Sequence, residues 1–412
     1  MKQKFILSIV FTTSLLYSID NPVFYRSTLF SGEPRLQRKY LHTIALNFLG
    51  GASHCARNCA QRKVPLLDIY GVQNMRDIAL GVQHLNNANA GDAQLLQLPS
   101  LSNDPCFGRL SWHGCLNIFE VNFDAICNFE NGFFIRWYSP LRKVSLEGIR
   151  YKDLSSVADQ QIPEWNNFLR SLTSILNQHT LSLEPVERSG FDTLTFFLGL
   201  TKNYNNTTHL DYIDATAMAG ILVPTGQQAN KHRVFDIPLG YNNYYGIRLW
   251  GDLSLGIFDW LTIGTHADII CFLPEWRRMT IKTAPSQQGF IKLATATAKR
   301  FPHPLLTANA FIKADHIIHS FSLFFAYSYA QKFKDTLTLC ASPYSTCIAN
   351  TDNQLRGWNM HTFTAAFEFD FASCSNRGHH LIFSYNHVIT GRSIIITDTV
   401  QGSITLNYVW EY

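Results

Sequence analysis

Charged and amide side chains in this sequence recur at every second position inside otherwise apolar runs. Glu120, Asn122 and Asp124 alternate with Val121 and Phe123; Arg136 stands between Ile135 and Trp137, and Asp214 between Ile213 and Ala215. Arg248 and Asp252 oppose Leu249 and Leu253, Asp268 falls between Ala267 and Ile269, Glu368 and Asp370 fall among Phe367, Phe369 and Phe371, and Asn386 follows Tyr385. Successive side chains of an extended strand point to opposite faces, so each polar row lines one face of a strand whose other face is oily. The rows are mixed in sign. Acidic and basic groups opposed across water set up a transverse field that sorts solutes by charge and dipole. The same residues could instead fill a narrow interior as an inert salt-bridged core.

Covalent chemistry finds no support. There is no Gly-x-Ser-x-Gly elbow, no Walker loop, no His-Glu-x-x-His and no paired motif of barrel proteases or phospholipases, so no catalytic residue and no cofactor is expected. His316 with His319, the trio His379, His380 and His387, and His54 with Cys55 and Cys59 are residue types that ligate metals. With 15 histidines in the chain such groups arise at turns by chance, and Cys55 and Cys59 have no second cluster at a recognisable spacing. No metal site is expected.

The elements that must position the polar rows are strands. Alternation marks thirteen segments: 40–49, 108–129, 133–138, 194–200, 213–221, 245–257, 261–271, 289–300, 304–314, 323–329, 363–371, 381–389 and 403–412. Glu130-Asn131-Gly132 predicts a hairpin, Asn205-Asn206-Thr207-Thr208 a turn, and Phe258-Asp259-Trp260 a tight reversal. Gly50-Gly51 is expected to end the first strand, and residues from there to about Phe107 read as a long loop with a short helix around Val72 to Leu85. Behind Pro163, the spacing of Trp165, Phe168, Leu169, Leu172, Ile175 and Leu176 predicts one amphipathic helix over about 163–178. That helix either enters a barrel mouth as a plug or caps a loop.

The last segment gives the surroundings of these strands. Ile404, Leu406, Tyr408, Trp410 and Tyr412 hold one parity against Ser403, Thr405, Asn407, Val409 and Glu411. An apolar strand face beside an open edge invites aggregation, whereas closure into a barrel removes the edge and lipid can cover the face. With Tyr408, Trp410 and Tyr412 at its end, this pattern resembles the C-terminal assembly signal of bacterial outer-membrane β-barrel proteins. A second, short motif, Pro224-Thr225-Gly226 within residues 209–273, is similar to the strand end of transport-type outer-membrane barrels, some linked to uptake of hydrophobic compounds. The hatch motif of long-chain fatty-acid transporters is absent, so this likeness implies architecture and not substrate.

Composition agrees with that surrounding. Of the chain 46% is hydrophobic and only 16% charged, and 30 Phe, 17 Tyr and 8 Trp could supply a lipid-facing band with aromatic girdles. No run of 18 apolar residues follows the first segment, which argues against spanning helices. Residues 1–18, with Lys2 and Lys4 ahead of an uncharged run, read as a signal peptide, and 19–38 as a polar lead-in. The formal charge of +4 falls to +2 without those two lysines and gives no support to nucleic-acid binding. Nine cysteines fit an oxidising compartment, with Cys340 and Cys347 as a candidate loop clip.

The expectation is therefore all-β: a transmembrane, antiparallel, up-and-down β-barrel over 39–412, with long loops. A closed single-chain barrel has an even number of strands, so thirteen candidates imply 12 to 14. The expected place is the bacterial outer membrane, and the expected partners are its lipid bilayer, the barrel-assembly machinery and small solutes, with further copies of the chain, as a homo-oligomer, a candidate partner. The expected function is a porin-like channel for passive diffusion, its pore lined by Glu120, Asp124, Arg136, Asp214, Arg248, Asp252, Asp268, Glu368 and Asp370. The rivals are a structural or surface-interaction barrel with a blocked lumen and a facilitator for hydrophobic small molecules.

Overall fold

The computed structural model describes residues 41–83, 92–205, 210–258, 260–318, 320–340, 343–371 and 379–409. The elements are, in order, β1 (Leu41–Arg57), β2 (Lys63–Pro65), β3 (Gln73–Asn74), α1 (Met75–Val82), α2 (Asp92–Leu101), β4 (Arg109–Asn128) and β5 (Phe133–Asp153). Next come α3 (Pro163–Gln178), β6 (Val186–Phe191), β7 (Thr193–Asn205), β8 (Tyr212–Pro224), β9 (Gly246–Phe258), β10 (Leu261–Phe272) and β11 (Glu275–Ile281). The last are β12 (Ala294–Phe301), β13 (Leu305–Ile318), β14 (Phe321–Lys332), β15 (Thr336–Leu339), α4 (Thr346–Ala349), β16 (Trp358–Asp370), β17 (His379–Arg392) and β18 (Ile394–Val409).

Twelve of these strands close into one antiparallel barrel, in the order β1-β4-β5-β7-β8-β9-β10-β13-β14-β16-β17-β18. The ring shuts where β18 returns to β1, with Val409 opposite Leu41 and Ile404 opposite Leu46. Twelve of the thirteen alternating segments are wall strands. The exception is 289–300: β12 pairs with β11 and β15 in a separate three-stranded sheet beside the barrel. Its alternation is real, but it buries Ala294, Ala296 and Ala298 against loop residues and not against lipid.

The wall sorts its side chains as a barrel in hydrocarbon must. Phe119, Phe133, Leu198, Ile221, Leu249, Phe325, Phe363, Phe367, Phe383, Ile404 and Leu406 stand exposed on the outside. Neighbouring rings pack across strands, as with Phe367 and Phe383 at 5.2 Å and Phe325 and Phe363 at 6.2 Å. Lipid in contact with this surface removes the cost of exposing it, and a basic residue in its place costs about 2–4 kcal/mol at the midplane.

The β4-β5, β7-β8, β9-β10, β13-β14 and β16-β17 connections lie at one end, together with Leu41 and Val409; the other end carries five long connections and the one-residue turn at Ser393 between β17 and β18. In single-chain outer-membrane barrels the long loops are the extracellular ones. At the short end, Asn131 (φ 59°) and Gly132 (φ 82°) turn β4 into β5 through the left-handed region that Asn and Gly tolerate best, which is the expected hairpin. At the long end the loops form a cap. Leu66, Ile78, Leu95, Phe107, Trp165, Phe168, Phe235 and Ile291 bury one another there, against Leu110, Trp112, Leu116, Val144 and Leu146 of the wall.

Strands β4 and β5 rise into this cap. Crossing the hydrocarbon takes roughly 9–11 residues, and these strands have 20 and 21. Near Ile118 the inward row of β4 passes from the barrel interior into the cap. The even positions stay inward from Leu110 to Asp124, but their chemistry changes from Leu116 and Ile118, which meet the cap, to Glu120 and Asn122. Strand β5 continues well past the expected end at Tyr138. Pro140, with no N–H to give to a ladder, sits where β5 stops pairing with β7 and starts pairing with β6.

Other expectations need correction. Gly50-Gly51 does not end β1. The strand runs through to Arg57, and Gly51 permits close approach to β18, since a Cβ there would lie 2.7 Å from the Asp398 carbonyl oxygen. The long loop contains α2 as well as the expected α1; Pro99 inside it masked its helical pattern. Cys340 and Cys347 are free thiols, as are the other described cysteines, Cys55, Cys59, Cys106, Cys115, Cys127 and Cys271, so no loop clip forms. Residues 1–38 lie outside the described residues, as do Asn206-Thr207-Thr208, Asp259, His319, Trp410 and Tyr412; Tyr408 lies in β18.

Candidate functional site

The barrel interior is assembled from the inward rows of the wall. Four strands bring their charges to one side. Glu120 on β4 lies directly across from Arg142 on β5, and Arg142 Nε donates to Glu120 Oε2 at 2.5 Å while its other end pairs with Asp192. Further towards the short-turn end, beyond Asn122, Arg136 holds Asp124 with two hydrogen bonds, Nε to Oδ1 at 2.9 Å and Nη2 to Oδ2 at 2.5 Å. Arg248 on β9 grips Asp268 on β10 in the same two-pronged way, at 2.9 and 2.7 Å. A planar guanidinium matches a carboxylate in this fork geometry, which fixes orientation as well as charge.

Aromatic faces tie these pairs together across the interior. The Trp250 ring lies 5.2 Å from the Arg136 guanidinium carbon and 5.1 Å from that of Arg248, and Phe197 lies 5.6 Å from the latter. Each cation therefore meets both a carboxylate and an electron-rich ring face. Glu120, Asp124, Arg136, Arg248 and Asp268 all line one cavity of about 80 Å³, shared with Tyr138, Arg142, Asp192, His266 and Gln401. Gly240 and Tyr241, from the connection between β8 and β9, line it too, so a long loop descends from the cap to this charged layer.

Away from the short-turn end, the opposite wall carries a stretch of neutral polar groups. On β16, β17 and β18 the inward residues include Thr362, Thr364, Ser384, Asn386, Thr399, Gln401 and Ser403, all buried. Thr364 Oγ1 donates to Asn386 Oδ1 at 2.7 Å, and Asn386 Nδ2 donates to Thr399 Oγ1 at 3.3 Å, a ladder of small polar groups across three strands.

The nine residues expected to line a pore all sit on inward parity, but they do not form one site. Five line the cavity just described. Asp214 accepts from Asn203 Nδ2, and Asp252 stands 4.0 Å from His266. Glu368 belongs to a second group towards the short-turn end, where Lys313 reaches both Glu368 at 2.8 Å and Asp315 at 2.9 Å, and His380 lies 2.9 Å from Glu368. Asp370 ends β16 on the same inward row.

Sequence reasoning missed Arg142, Asp192, Lys313 and His266. Continuing the parity of Arg136 and Tyr138 past Pro140 leads to Arg142. Lys313 shares parity with Thr307, Asn309 and Phe311. Asp192 sits between two strands, where alternation carries no signal. Of the histidines with metal-ligand potential, His387 pairs with Asp398 and His380 with Glu368; among the described residues no three His, Cys, Asp or Glu converge on a metal site.

In the cap, Asp68 is held by Ser111 Oγ at 2.5 Å and the Trp112 amide at 2.9 Å. Burial pushes its carboxyl above the usual aspartate range despite those two bonds.

No protein-family model matches the sequence, and no curated protein matches it. In fold the chain is similar to an outer-membrane channel of Pseudomonas putida F1, with a TM-score of 0.52 and 8% identity over 92% of this chain and 100% of that one. Weaker likenesses are to the translocator domain of the autotransporter NalP of Neisseria meningitidis (TM-score 0.38, 7% identity, covering 90% and 89%) and to the toluene transporter TbuX of Ralstonia pickettii (0.34, 10%, 97% and 96%). The fold is that of a bacterial outer-membrane β-barrel. Its closed backbone pairing and oily outer wall suit the lipid of that membrane and no aqueous compartment.

Proposed function

We propose that the chain is an outer-membrane channel crossed by passive diffusion of small polar solutes. The observation that carries this reading is the division of the interior beyond the Lys313, Glu368 and His380 group: a charged, cation-and-carboxylate wall from β4, β5, β9 and β10 faces a stretch of neutral hydroxyl and amide groups on β16, β17 and β18. A solute between them meets hydrogen-bonding groups on one side and a field on the other, which favours small molecules with a dipole over purely apolar ones. Lipid-exposed positions gain nothing from such residues, so their concentration inside fits an aqueous path.

The inward side chains are nearly inaccessible to water in this conformation, and the cap covers the long-loop end. Conduction on this reading requires the descending 225–245 connection or the cap to move. The same observation favours a second reading, a barrel that is permanently blocked and works through its surface. Conductance across planar bilayers separates the two. Stepwise openings by the purified protein support the channel, and Arg136→Ala is then expected to move the reversal potential towards cation selectivity. Silence from the native protein and from a variant with a loosened cap supports the blocked barrel.

A further inference from the structure

Between the apolar part of the cap and the β11-β12 edge lies a second cavity, of about 220 Å³, distinct from the charged layer inside the barrel. We propose that it is a binding site for a small amphipathic organic anion, a monocarboxylate with an aromatic or short aliphatic body. The cavity is apolar on its inner side, where Leu66, Leu67, Phe235, Ile237 and Phe290 line it. Its other side carries six cationic residues, Lys231, Arg233, Arg277, Arg278, Lys292 and Arg300, against two acidic ones, Asp236 and Asp352.

Most of those cations are already engaged. Lys292 pairs with Asp352, Arg300 with Asp335 at 2.6 Å, and Arg233 reaches the Pro185 carbonyl at 3.4 Å. Arg277 donates to Glu275 at 2.6 Å and to the carbonyls of Asn242 and Asn243, and it stacks 3.8 Å from the Tyr244 ring. Lys231 and Arg278 differ: among the described residues their side chains make no hydrogen bond or ion pair. Arg278 is exposed, as are Gln228, Ala229 and Asn230 beside it on the lining, so this is the mouth, while Leu66, Phe235 and Leu355 are buried at the floor.

Size and charge select the occupant together. A dry cavity of about 150 Å³ accepts benzene, so this volume holds a six-membered ring with a carboxyl substituent. A free inorganic anion would satisfy the cations and leave the apolar floor wet, and a neutral hydrocarbon would leave the two unpaired cations without a partner. An amphipathic anion does both jobs at once. The site shares the 225–245 connection with the proposed conduction path but none of the charged layer's lining residues, and its occupancy is measured without a membrane, so failure of either reading leaves the other intact.

The test is isothermal titration of the purified full chain in nonionic detergent with benzoate, benzamide and inorganic phosphate in turn. Saturable benzoate binding is expected, with benzamide and phosphate each weaker by about tenfold or more. The double variant Lys231→Glu/Arg278→Glu should abolish benzoate binding while leaving the barrel's heat-modifiable migration unchanged. Thr280→Trp, which puts bulk into the cavity from β11, should do the same without altering charge. Absence of saturable benzoate binding to the native chain overturns the proposal. So does benzamide or phosphate binding as tightly as benzoate, or benzoate binding undiminished in either variant.

Discussion

At the scale of single residues, the interior is governed by the cost of leaving a buried charge alone. Arg248 and Asp268 are both buried, and removing one strands the other, a loss of about 3–5 kcal/mol for pairs of this kind. Asp268→Ala is therefore expected to lower the urea midpoint of the barrel refolded into vesicles. Replacing both residues with apolar ones, Arg248→Met/Asp268→Leu, should recover much of the loss. If Asp268→Ala matches the native midpoint, the pair is not what holds this layer. In the cap, Asp68 has its folded-state pKa raised by burial. A carboxyl with a raised value binds its proton more tightly when folded, so its contribution is present below the ordinary aspartate range and is lost as pH rises through the raised value. Asp68→Asn keeps the shape without the titration. Denaturation followed by tryptophan fluorescence should show the native cap losing stability relative to this variant over that rise in pH.

At the scale of elements, α3 holds the cap together. Pro163 begins it, and Trp165, Phe168, Leu172, Ile175 and Leu176 bury one stripe of it. Trp165 lies 5.0 Å from Phe107 and 5.4 Å from Phe168, and its Nε1 donates to Asp153 Oδ2 at 2.7 Å at the end of β5. The helix is thus pinned to the wall by an apolar stripe and one polar anchor. Trp165→Ala should cost the cap about 3–5 kcal/mol, seen as faster hydrogen exchange in α1, α2 and α3, while the barrel strands keep their protection. Loss of protection throughout would mean that cap and barrel fold as one unit. The helix is legible in sequence from its 3.6-residue spacing; that it packs into a cap core and not into the charged layer is not, because its partners Phe107 and Leu95 come from a loop with no periodic signal.

At the scale of the whole molecule, the wall and the cap are held together by different means. Closed pairing from β1 round to β18 makes the wall one cooperative sheet, whereas the cap is joined to it through the risers β4 and β5 and the descending 225–245 connection. If the channel reading holds, Trp165→Ala should open more often than the native protein in planar bilayers at the same voltage, since the cap and not the wall has been weakened. Unchanged single-channel records for this variant would place the gate elsewhere.

Alternation by itself determined the wall. Side chains in a strand must alternate, and lipid outside with polar groups inside writes that period into the residues, so the wall strands, among thirteen alternating segments, and the inward parity of Glu120, Arg136, Arg248, Asp268 and Glu368 can be read without coordinates. Periodicity says which face a residue takes but not which strand it meets. Tertiary structure alone decided that Arg142 bridges Glu120 and Asp192, that β12 leaves the wall for a side sheet, and that the loops gather into a cap with its own cavity. Those outcomes rest on contacts between segments far apart in the chain, and no local pattern encodes them.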